Sequence, residues 1–452
     1  MIFKVRHVLD RAIKAPVLAG LVIASLVIYG LLSVVHSSST PPRHFSTDAK
    51  PTSNHDQVVP ASWQHDPPES ISPRDNFTLS KETCQRNFPN VGAEIERAVA
   101  YSKSHGGVTG ADLDISWKES GLVRAMIYQQ KLYVIEAKHS GSGYDVRRSV
   151  AILSSINRAI LSSPEDVPNI EFVFSINDTP ETEYHGHKMW TLTRRRNDES
   201  HWLMPDFGFW SWEMNLVGEY SQIRHKIELV EAPFKDKIAK AVWRGAGKVN
   251  ALRRQLLSAT NGKAWADVKE IRWSSRATLS LSTKDDVLPM WDLCRYKYLI
   301  HTEGASYSGR GKYLQNCNSI VIMHDREWRE HYDHLLVPEG PEQNFVQVKR
   351  DWSDLETKIN WLEAHPVEAE KIAKKGTEVF RDRYLSPAAQ ACYWRELFRG
   401  WAQVSLKPDF YIRDAQGDVV LRGTPYETFI LTAFDREGAS CSWLGRVLRL
   451  CT

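Results

Sequence analysis

The sequence has little excess charge and few cysteines. Lysine and arginine total 58 and aspartate and glutamate total 55, so the net charge of +3 is too small, over 452 residues, to indicate nucleic acid as the main partner. The six cysteines include no Cys-x-x-Cys pair, and their wide spacing argues against a zinc site. No internal repeat is present either. What remains is an ordinary globular composition with room for about two or three domains.

One long apolar run does occur, at residues 15–35 (APVLAGLVIASLVIYGLLSVV). A helix needs about 20 such residues to cross a membrane, so the run predicts a transmembrane signal anchor. The alternative is a cleaved signal peptide, whose apolar region is usually about 7–15 residues long. Basic residues precede the run: Lys4, Arg6, Arg11 and Lys14. They predict a cytosolic segment at 1–14 and a luminal or extracellular remainder, in type II topology.

Residues 36–80 are rich in serine, proline, histidine and aspartate and poor in aliphatic side chains. Such a segment cannot bury enough apolar surface to fold, so we expect a disordered stem. Asn76-Phe-Thr78 within it is a sequon for N-glycosylation.

The cysteines are Cys84, Cys294, Cys317, Cys392, Cys441 and Cys451. An oxidising lumen would allow disulfides among them, but the sequence does not fix the pairing. Cys317 lies in a predicted helix, where we expect it simply as a buried small residue.

Apolar runs and helical patterns alternate along the rest of the chain. Strands are predicted at 122–128 and 131–137, as a hairpin around Gln129-Gln130, and at 170–176, 240–245, 296–301, 319–324 and 345–349. Helices are predicted at 91–101 and 145–161, from about Asn250, after Ser308, after Asp351, and from Ser386-Pro387 to Trp401. Repeated units of this kind predict an α/β fold with mostly parallel sheets in two lobes.

Asp178 follows the apolar strand at 170–176. Its carboxylate should emerge at the carboxyl end of that strand, where a general base is useful. The competing interpretation is a turn residue that hydrogen bonds its own backbone. Downstream, the aromatic segment 201–212 suits either the binding of sugar rings or a buried core.

Two glycine-rich loops follow neighbouring predicted strands. The first contains Arg244, Gly245 and, a little further on, Arg253. The second, EGASYSGRGK, contains Glu303, Ser306, Ser308, Arg310 and Lys312. Glycine lets the backbone approach an anion, a helix N-terminus offers free N–H groups, and arginine binds phosphate oxygens. Neither loop matches a Walker loop, because no Ser or Thr follows Lys312, and each alone is also compatible with a simple turn.

Three other motifs resemble metal sites. Asp114 with Glu136-Ala-Lys138 has the layout of metal-dependent nucleases, and Asp112-Leu-Asp114 has that of one glycosyltransferase fold. His185-Gly-His187 lacks a third ligand. All three are common by chance or wrongly placed, so we expect no metal site.

Several ordered motifs resemble glycosyltransferase family 90, which includes the capsule-associated proteins and the protein O-glucosyltransferases. They are KAVWRGAG (240–247), the run from Tyr296 to Ile322, EWREHYDHLLVPE (327–339), NFVQVKRDWSDLE (344–356) and Cys392-Tyr-Trp394. The resemblance covers roughly residues 84–400 and is densest between 240 and 395.

The resemblance implies a GT-B-like fold, with two Rossmann-like lobes at 81–228 and 229–385 and a cleft between them. The helix at 386–404 would pack back on the first lobe, and no fold is predicted for 405–452. It also implies inverting transfer of glucose or xylose from a UDP-sugar to a glycan, glycolipid or protein hydroxyl, without an essential metal or other cofactor. With the apolar run, it favours a membrane-anchored member of the fungal type in the Golgi membrane.

By the same resemblance, Asp178 is the catalytic base. The donor would be bound by Arg244, Gly245, Arg253, Ser306, Ser308, Arg310 and Lys312, and Glu303 matches an acidic position of the fungal branch. Two alternatives stay open: a transferase specific for Ser or Thr of proteins, and a carbohydrate-binding scaffold without activity.

Overall fold

The structure is a computed structural model that describes residues 72–140, 143–180, 186–212, 217–271 and 287–433. Within these ranges no helix is both long and apolar enough to cross a membrane. The predicted span at 15–35 and nearly all of the predicted stem lie outside them, as do Cys441 and Cys451.

Strands and helices are numbered along the chain. The strands are β1 (Leu122–Tyr128), β2 (Lys131–Lys138), β3 (Ile170–Ser175), β4 (Trp190–Thr191), β5 (Arg194–Arg195), β6 (Trp202–Leu203), β7 (Ser211–Trp212), β8 (Gly218–Glu219), β9 (Ile238–Gly245), β10 (Ala266–Glu270), β11 (Tyr296–His301), β12 (Ile320–His324), β13 (Trp328–Arg329), β14 (Val346–Val348), β15 (Tyr411–Arg413), β16 (Val419–Leu421) and β17 (Thr424–Pro425). The helices are α1 (Lys81–Asn87), α2 (Ala93–Ser104), α3 (Gly110–Leu113), α4 (Tyr144–Leu161), α5 (Tyr220–Val230), α6 (Ala251–Thr260), α7 (Gly311–Leu314), α8 (Leu355–Ala364), α9 (Pro366–Val379), α10 (Pro387–Ala402) and α11 (Tyr426–Thr432). The predicted elements are confirmed to within a few residues, except that the helix after Ser308 is only the short turn α7.

The first sheet has six strands in the order β17-β2-β1-β3-β4-β6. β1 and β2 form the predicted hairpin, and its turn residues Gln129 and Gln130 have φ values of 47° and 61°, as a two-residue hairpin turn requires. β1 is also antiparallel to β3, whereas β3, β4 and β6 are parallel. Two strands of this sheet, β1 and the edge strand β17, therefore run opposite to the other four. β1 interrupts the expected Rossmann-like arrangement, because the tight turn forces it beside β2 and α4 then crosses over it to β3.

The second sheet is fully parallel, with the order β10-β9-β11-β12-β14. The chain runs from β9 outward to β10 on one side, and from β11 outward through β12 to β14 on the other. The strand order therefore reverses between β9 and β11. In open α/β sheets, ligands bind beyond the carboxyl ends of the strands at such a switch point.

α10 packs against helices that come much earlier in the described part of the chain. Ser386 caps it by accepting a hydrogen bond from the backbone N–H of Ala389, and Pro387 occupies its first turn, as predicted. The helix packs on α2 and α4, beside the first sheet. Its Cys392 is disulfide-bonded to Cys84 of α1, with 5.7 Å between the Cα atoms.

A second disulfide corrects one expectation from the sequence. Cys317 is not simply a buried small residue: it is bonded to Cys294, 23 positions earlier. Cys317 follows the short turn α7 and Cys294 precedes β11, so the bond fastens the two sides of the β11–α7 connection together.

The segment 405–433, for which no fold was predicted, is partly ordered against the first sheet. β15 and β16 form an antiparallel pair. β17 adds an edge strand beside β2, and the hydroxyl of Tyr426 in α11 lies 2.8 Å from that of Ser154 in α4. This part of the tail therefore belongs to the first sheet and its helices.

Candidate active site

Two loops meet at the switch point of the second sheet. The β9 loop (residues 245–250) follows β9, and the β11 loop (residues 302–310) follows β11. Asn250 links them: its Oδ1 caps α6 by accepting the N–H of Arg253 at 2.9 Å, and its Nδ2 donates to the carbonyl of Gly304 at 2.7 Å. The two predicted glycine-rich loops are therefore neighbours.

Asp178 lies just beyond the carboxyl end of β3, and half of its side chain is exposed (50%). One carboxylate oxygen, Oδ1, accepts a hydrogen bond from Arg148 at 2.9 Å. The same Arg148 nitrogen donates to the carbonyl of Ile176 at 3.0 Å, which fixes the guanidinium beside the strand end. Among the described residues, Oδ2 of Asp178 accepts no hydrogen bond, so this oxygen is available to a ligand.

The β11 loop touches Asp178 directly. The hydroxyl of Ser306 donates to the backbone carbonyl of Asp178, and Ser306 is fully buried by this contact. The next residue, Tyr307, inserts its ring into the core beneath the first sheet. Burial raises the pKa of the Tyr307 hydroxyl well above its usual value, and the nearby carboxylates of Asp206 and Asp178 add to this effect. The candidate base and the second glycine-rich loop thus lie side by side.

Arg310 stands at the start of α7. Its guanidinium makes no hydrogen bond or ion pair with any described residue, and its Nε is buried without a partner. Burial lowers the pKa of Arg310 to about 10, and the positive charges of Arg253 and Arg244 contribute. An unpaired cation in such surroundings favours an anionic ligand.

Arg253 projects from α6 to the same place. It donates to the backbone carbonyls of Glu303, at 3.0 Å, and Ala246, at 3.3 Å, and to no carboxylate among the described residues. Burial lowers its pKa to about 10. Arg253 therefore holds the two loops together and leaves its positive charge uncompensated.

Two other predicted donor-binding residues form ion pairs within the protein. Arg244 binds both carboxylate oxygens of Asp267 in β10, each at 2.9 Å. Glu303 is buried: its carboxylate accepts the N–H groups of Glu327 and Trp328 and pairs with Arg350 at 2.9 Å. Both side chains are therefore held in ion pairs within the second half of the chain.

Lys312 is also engaged inside the protein. Its ammonium group is fully buried and lies 2.7 Å from Oδ2 of Asp206 and 2.7 Å from the carbonyl of Gly309. Asp206 belongs to the segment after β6, so this ion pair ties the β11 loop to the first half of the chain. Lys312 fixes the position of the loop that carries Arg310.

Ser308 and Gly245 complete the predicted set. The hydroxyl of Ser308, in the β11 loop, makes no hydrogen bond with a described residue and is partly exposed. Gly245 ends β9, and a Cβ atom there would lie 2.5 Å from the ring of Trp243. Only glycine lets the backbone pass this ring and turn into the β9 loop.

Other sequence candidates have structural roles. Asp112 caps α3 through the N–H and hydroxyl of Thr109. In the segment 201–212, Trp202, Phe207 and Phe209 are buried in core clusters. Of the described residues, no three His, Cys, Asp or Glu side chains are grouped so that they could hold a metal ion. His185 lies outside the described residues.

The sequence reasoning missed Arg148, Asn250 and Asp206. Each acts through a partner distant in sequence: Arg148 binds Asp178, Asn250 binds Gly304, and Asp206 binds Lys312. Only Asn250 had a local signal, because an Asn before a helical pattern is a common N-cap.

The fold and the site together indicate a class of protein. An α/β fold, arginines with no acidic partner among the described residues at the switch point of a parallel sheet, and an exposed carboxylate beside them are features that an enzyme acting on an anionic ligand would need. The chain belongs to glycosyl transferase family 90, whose profile matches residues 80–419. The resemblance expected from the motifs is thereby confirmed.

The curated relatives are protein O-glucosyltransferases. Protein O-glucosyltransferase 1 of Rattus norvegicus is 25% identical over 285 residues, which are 57% of this chain and 70% of the relative. The O-glucosyltransferase rumi homolog of Aedes aegypti is 26% identical over 305 residues, 63% of this chain and 70% of the relative. Human protein O-glucosyltransferase 3 is 32% identical over 132 residues, 29% of this chain and 25% of the relative. The matches thus span from a quarter to about two thirds of this chain.

Proposed function

We propose that the protein is an inverting glycosyltransferase that transfers glucose or xylose from a UDP-sugar to a hydroxyl group. One observation carries this proposal: the β11 loop bonds Ser306 to the backbone of Asp178 and holds the unpaired Arg310 a few residues further on. The proposed base and the proposed anion-binding cation would therefore border the same space. A sugar nucleotide needs both, because an acceptor loses a proton while a diphosphate departs.

Asp178 is the proposed general base. Its Oδ2 would take the proton of the acceptor hydroxyl as that oxygen attacks the anomeric carbon of the sugar. The bond from this carbon to the diphosphate oxygen would break on the opposite face, so the configuration inverts. Arg148 would hold Oδ1, at 2.9 Å, and so aim Oδ2 at the acceptor. Arg148 is thus a positioning residue.

The departing diphosphate carries the negative charge that develops in the reaction. Arg310 is the proposed cation for this charge, with Arg253, the hydroxyl of Ser308 and the backbone of the glycine-rich loops as additional donors. Each of three other residues is already in an ion pair and would support the donor site without contacting the diphosphate. They are Arg244, Glu303 and Lys312. These side chains would take the place of a metal ion in neutralising the leaving group.

The acceptor is proposed to be a serine or threonine hydroxyl of a protein, because relatives such as those of Rattus norvegicus and human are named protein O-glucosyltransferases. Glycan and glycolipid hydroxyls remain the alternatives. The proposed architecture is GT-B-like, with the base on the first sheet and the donor on the second. Support comes from the Ser306–Asp178 and Lys312–Asp206 bonds, which both cross between the two parts.

The test is a panel of UDP-sugars in which released UDP is measured with the purified protein, with and without EDTA. We expect UDP release from UDP-glucose or UDP-xylose that persists in EDTA and increases when a protein acceptor is added. Strict dependence on manganese would overturn the metal-free role of the arginines. Failure to turn over any donor would favour the inactive carbohydrate-binding scaffold.

A further inference from the structure

A cavity of about 270 Å³ lies at the carboxyl end of β12. Its charged wall residues are Arg194, Arg326, Arg329, Glu94, Asp325 and Asp333, and His324, His334 and Gln347 also line it. Pockets for drug-sized ligands are roughly 300–1,000 Å³, so this cavity lies just below that range and suits a small ligand. His324, in the wall of this cavity, also contacts the β11 loop, because its Nε2 accepts the backbone N–H of Glu303 at 3.1 Å.

One wall is a two-stranded antiparallel ribbon formed by β5 and β13. Arg194 and Arg329 lie directly opposite each other on it, and both line the cavity. Like charges in opposed positions of an antiparallel pair destabilise it. Arg194 is neutralised, since its guanidinium binds Glu94 at 3.0 and 3.1 Å. Arg329 has no such acidic partner: its side chain makes no hydrogen bond or ion pair with a described residue.

The acidic residues of the cavity are paired with arginines other than Arg329. Arg326 is paired with Asp333 at 2.8 Å, and Asp325 is paired with Arg196. Burial lowers the pKa of Arg329, and Asp333 offsets this only in part because Arg326, Arg196 and Arg194 lie nearby. An oxyanion is the ligand group that would relieve this arrangement.

The histidines of the cavity are not additional cations at neutral pH. Burial lowers the pKa of His324 to about 4, and burial also lowers the pKa of His334. Gln347 adds an exposed amide that makes no hydrogen bond with a described residue. It offers one donor group and one acceptor group for ligand hydroxyls.

We propose that this cavity is a second ligand site, which binds an acidic monosaccharide: a sugar that carries one carboxylate or phosphate group. The oxyanion binds Arg329, and the sugar hydroxyls bind the uncharged wall residues His324, His334 and Gln347. Its wall residues differ from the proposed donor-binding residues, so this proposal can be tested independently of the proposed transferase activity.

The test uses the full chain with the substitution Arg310→Gln, which weakens anion binding at the candidate active site. Binding of glucuronate, glucose 6-phosphate, inorganic phosphate and glucose is then measured by isothermal titration calorimetry, with a smaller contribution from the candidate active site. We expect one or both acidic sugars to bind, inorganic phosphate to bind more weakly, and glucose not to bind. Binding of glucuronate identifies a carboxylate site, and binding of glucose 6-phosphate identifies a phosphate site.

The decisive variant adds Arg329→Gln, which should weaken binding of the acidic sugar at least tenfold. Its matched control is Arg195→Gln on the same ribbon, whose side chain is half-exposed and pairs with Glu327, and this change should leave binding unaltered. Thermal unfolding of both variants verifies that they are folded. Absence of binding by either acidic sugar, or equal losses in the two variants, would overturn the proposal. If Arg310→Gln leaves UDP affinity unchanged while Arg329→Gln abolishes acidic-sugar binding, the donor assignment fails and the cavity site stands.

Discussion

At the scale of single residues, the chain uses its arginines in two ways. Arg244 and Arg350 lie in ion pairs with Asp267 and Glu303, whose carboxylates neutralise them. Arg310 has no acidic partner among the described residues, although its Nε is buried. The sequence alone cannot separate these cases, since the partner of Arg244 is 23 positions away and that of Arg350 is 47 positions away.

We predict that Arg310→Gln lowers kcat/KM for UDP release about 10²–10³-fold, the usual loss when one charge-stabilising donor is removed. The free energy of unfolding should not decrease, because the substitution removes a buried charge that lies near Arg253 and Arg244. UDP-release kinetics and urea unfolding measure the two quantities. Arg254→Gln, at an exposed position of α6, is the matched control and should behave as wild type. A loss below threefold in Arg310→Gln would argue against its role.

At the scale of elements, the β11 loop is fixed at three points on the first half of the chain. Ser306 binds the carbonyl of Asp178, Tyr307 fills the core beneath the first sheet, and Lys312 pairs with Asp206. A loop rich in glycine and serine is ordinarily mobile. These contacts give it a defined position, which a clamp for a diphosphate requires.

Lys312→Met tests the third contact. Removing one partner of a buried ion pair leaves an unpaired charge and typically costs about 3–5 kcal/mol, so we predict a loss of this size in the free energy of unfolding by urea. Lys371→Met on the exposed face of α9 is the control and should change it little. If Lys312 contacted the ligand instead, the variant would keep its stability and lose only UDP affinity.

The sequence predicted the long elements better than the short ones. β3 and β12 are mostly apolar and buried at every position, a pattern that a strand covered on both faces of a sheet shows. The two-residue strands β4, β5 and β17 have no such pattern, because their positions are set by partners far along the chain. The same limit applies at the site. Asp178 and Arg310 were predicted from their places after strands, whereas the inward orientation of Lys312 depends on Asp206, 106 positions earlier.

At the scale of the whole molecule, the two disulfides close loops of very different size. Cys84–Cys392 spans 308 positions and Cys294–Cys317 spans 23. In the chain-entropy account, the longer loop restricts the unfolded chain more, so removing the first bond should cost about 5 kcal/mol and removing the second about 3 kcal/mol. We predict this order for the paired Cys→Ala variants in guanidinium unfolding. A larger effect of the shorter loop would contradict it.

In the proposed mechanism the fold brings a base from the first sheet to an anion site on the second, and Asp178→Asn tests this arrangement most directly. Asparagine keeps the shape of the side chain but cannot accept the proton, so we predict that UDP-sugar turnover falls about 10²–10⁴-fold. Calorimetry should give a UDP affinity within about threefold of wild type, because Asp178 does not bind the diphosphate. Asp166→Asn, at an exposed position before β3, is the control and should retain full turnover. Unchanged turnover in Asp178→Asn would contradict the account.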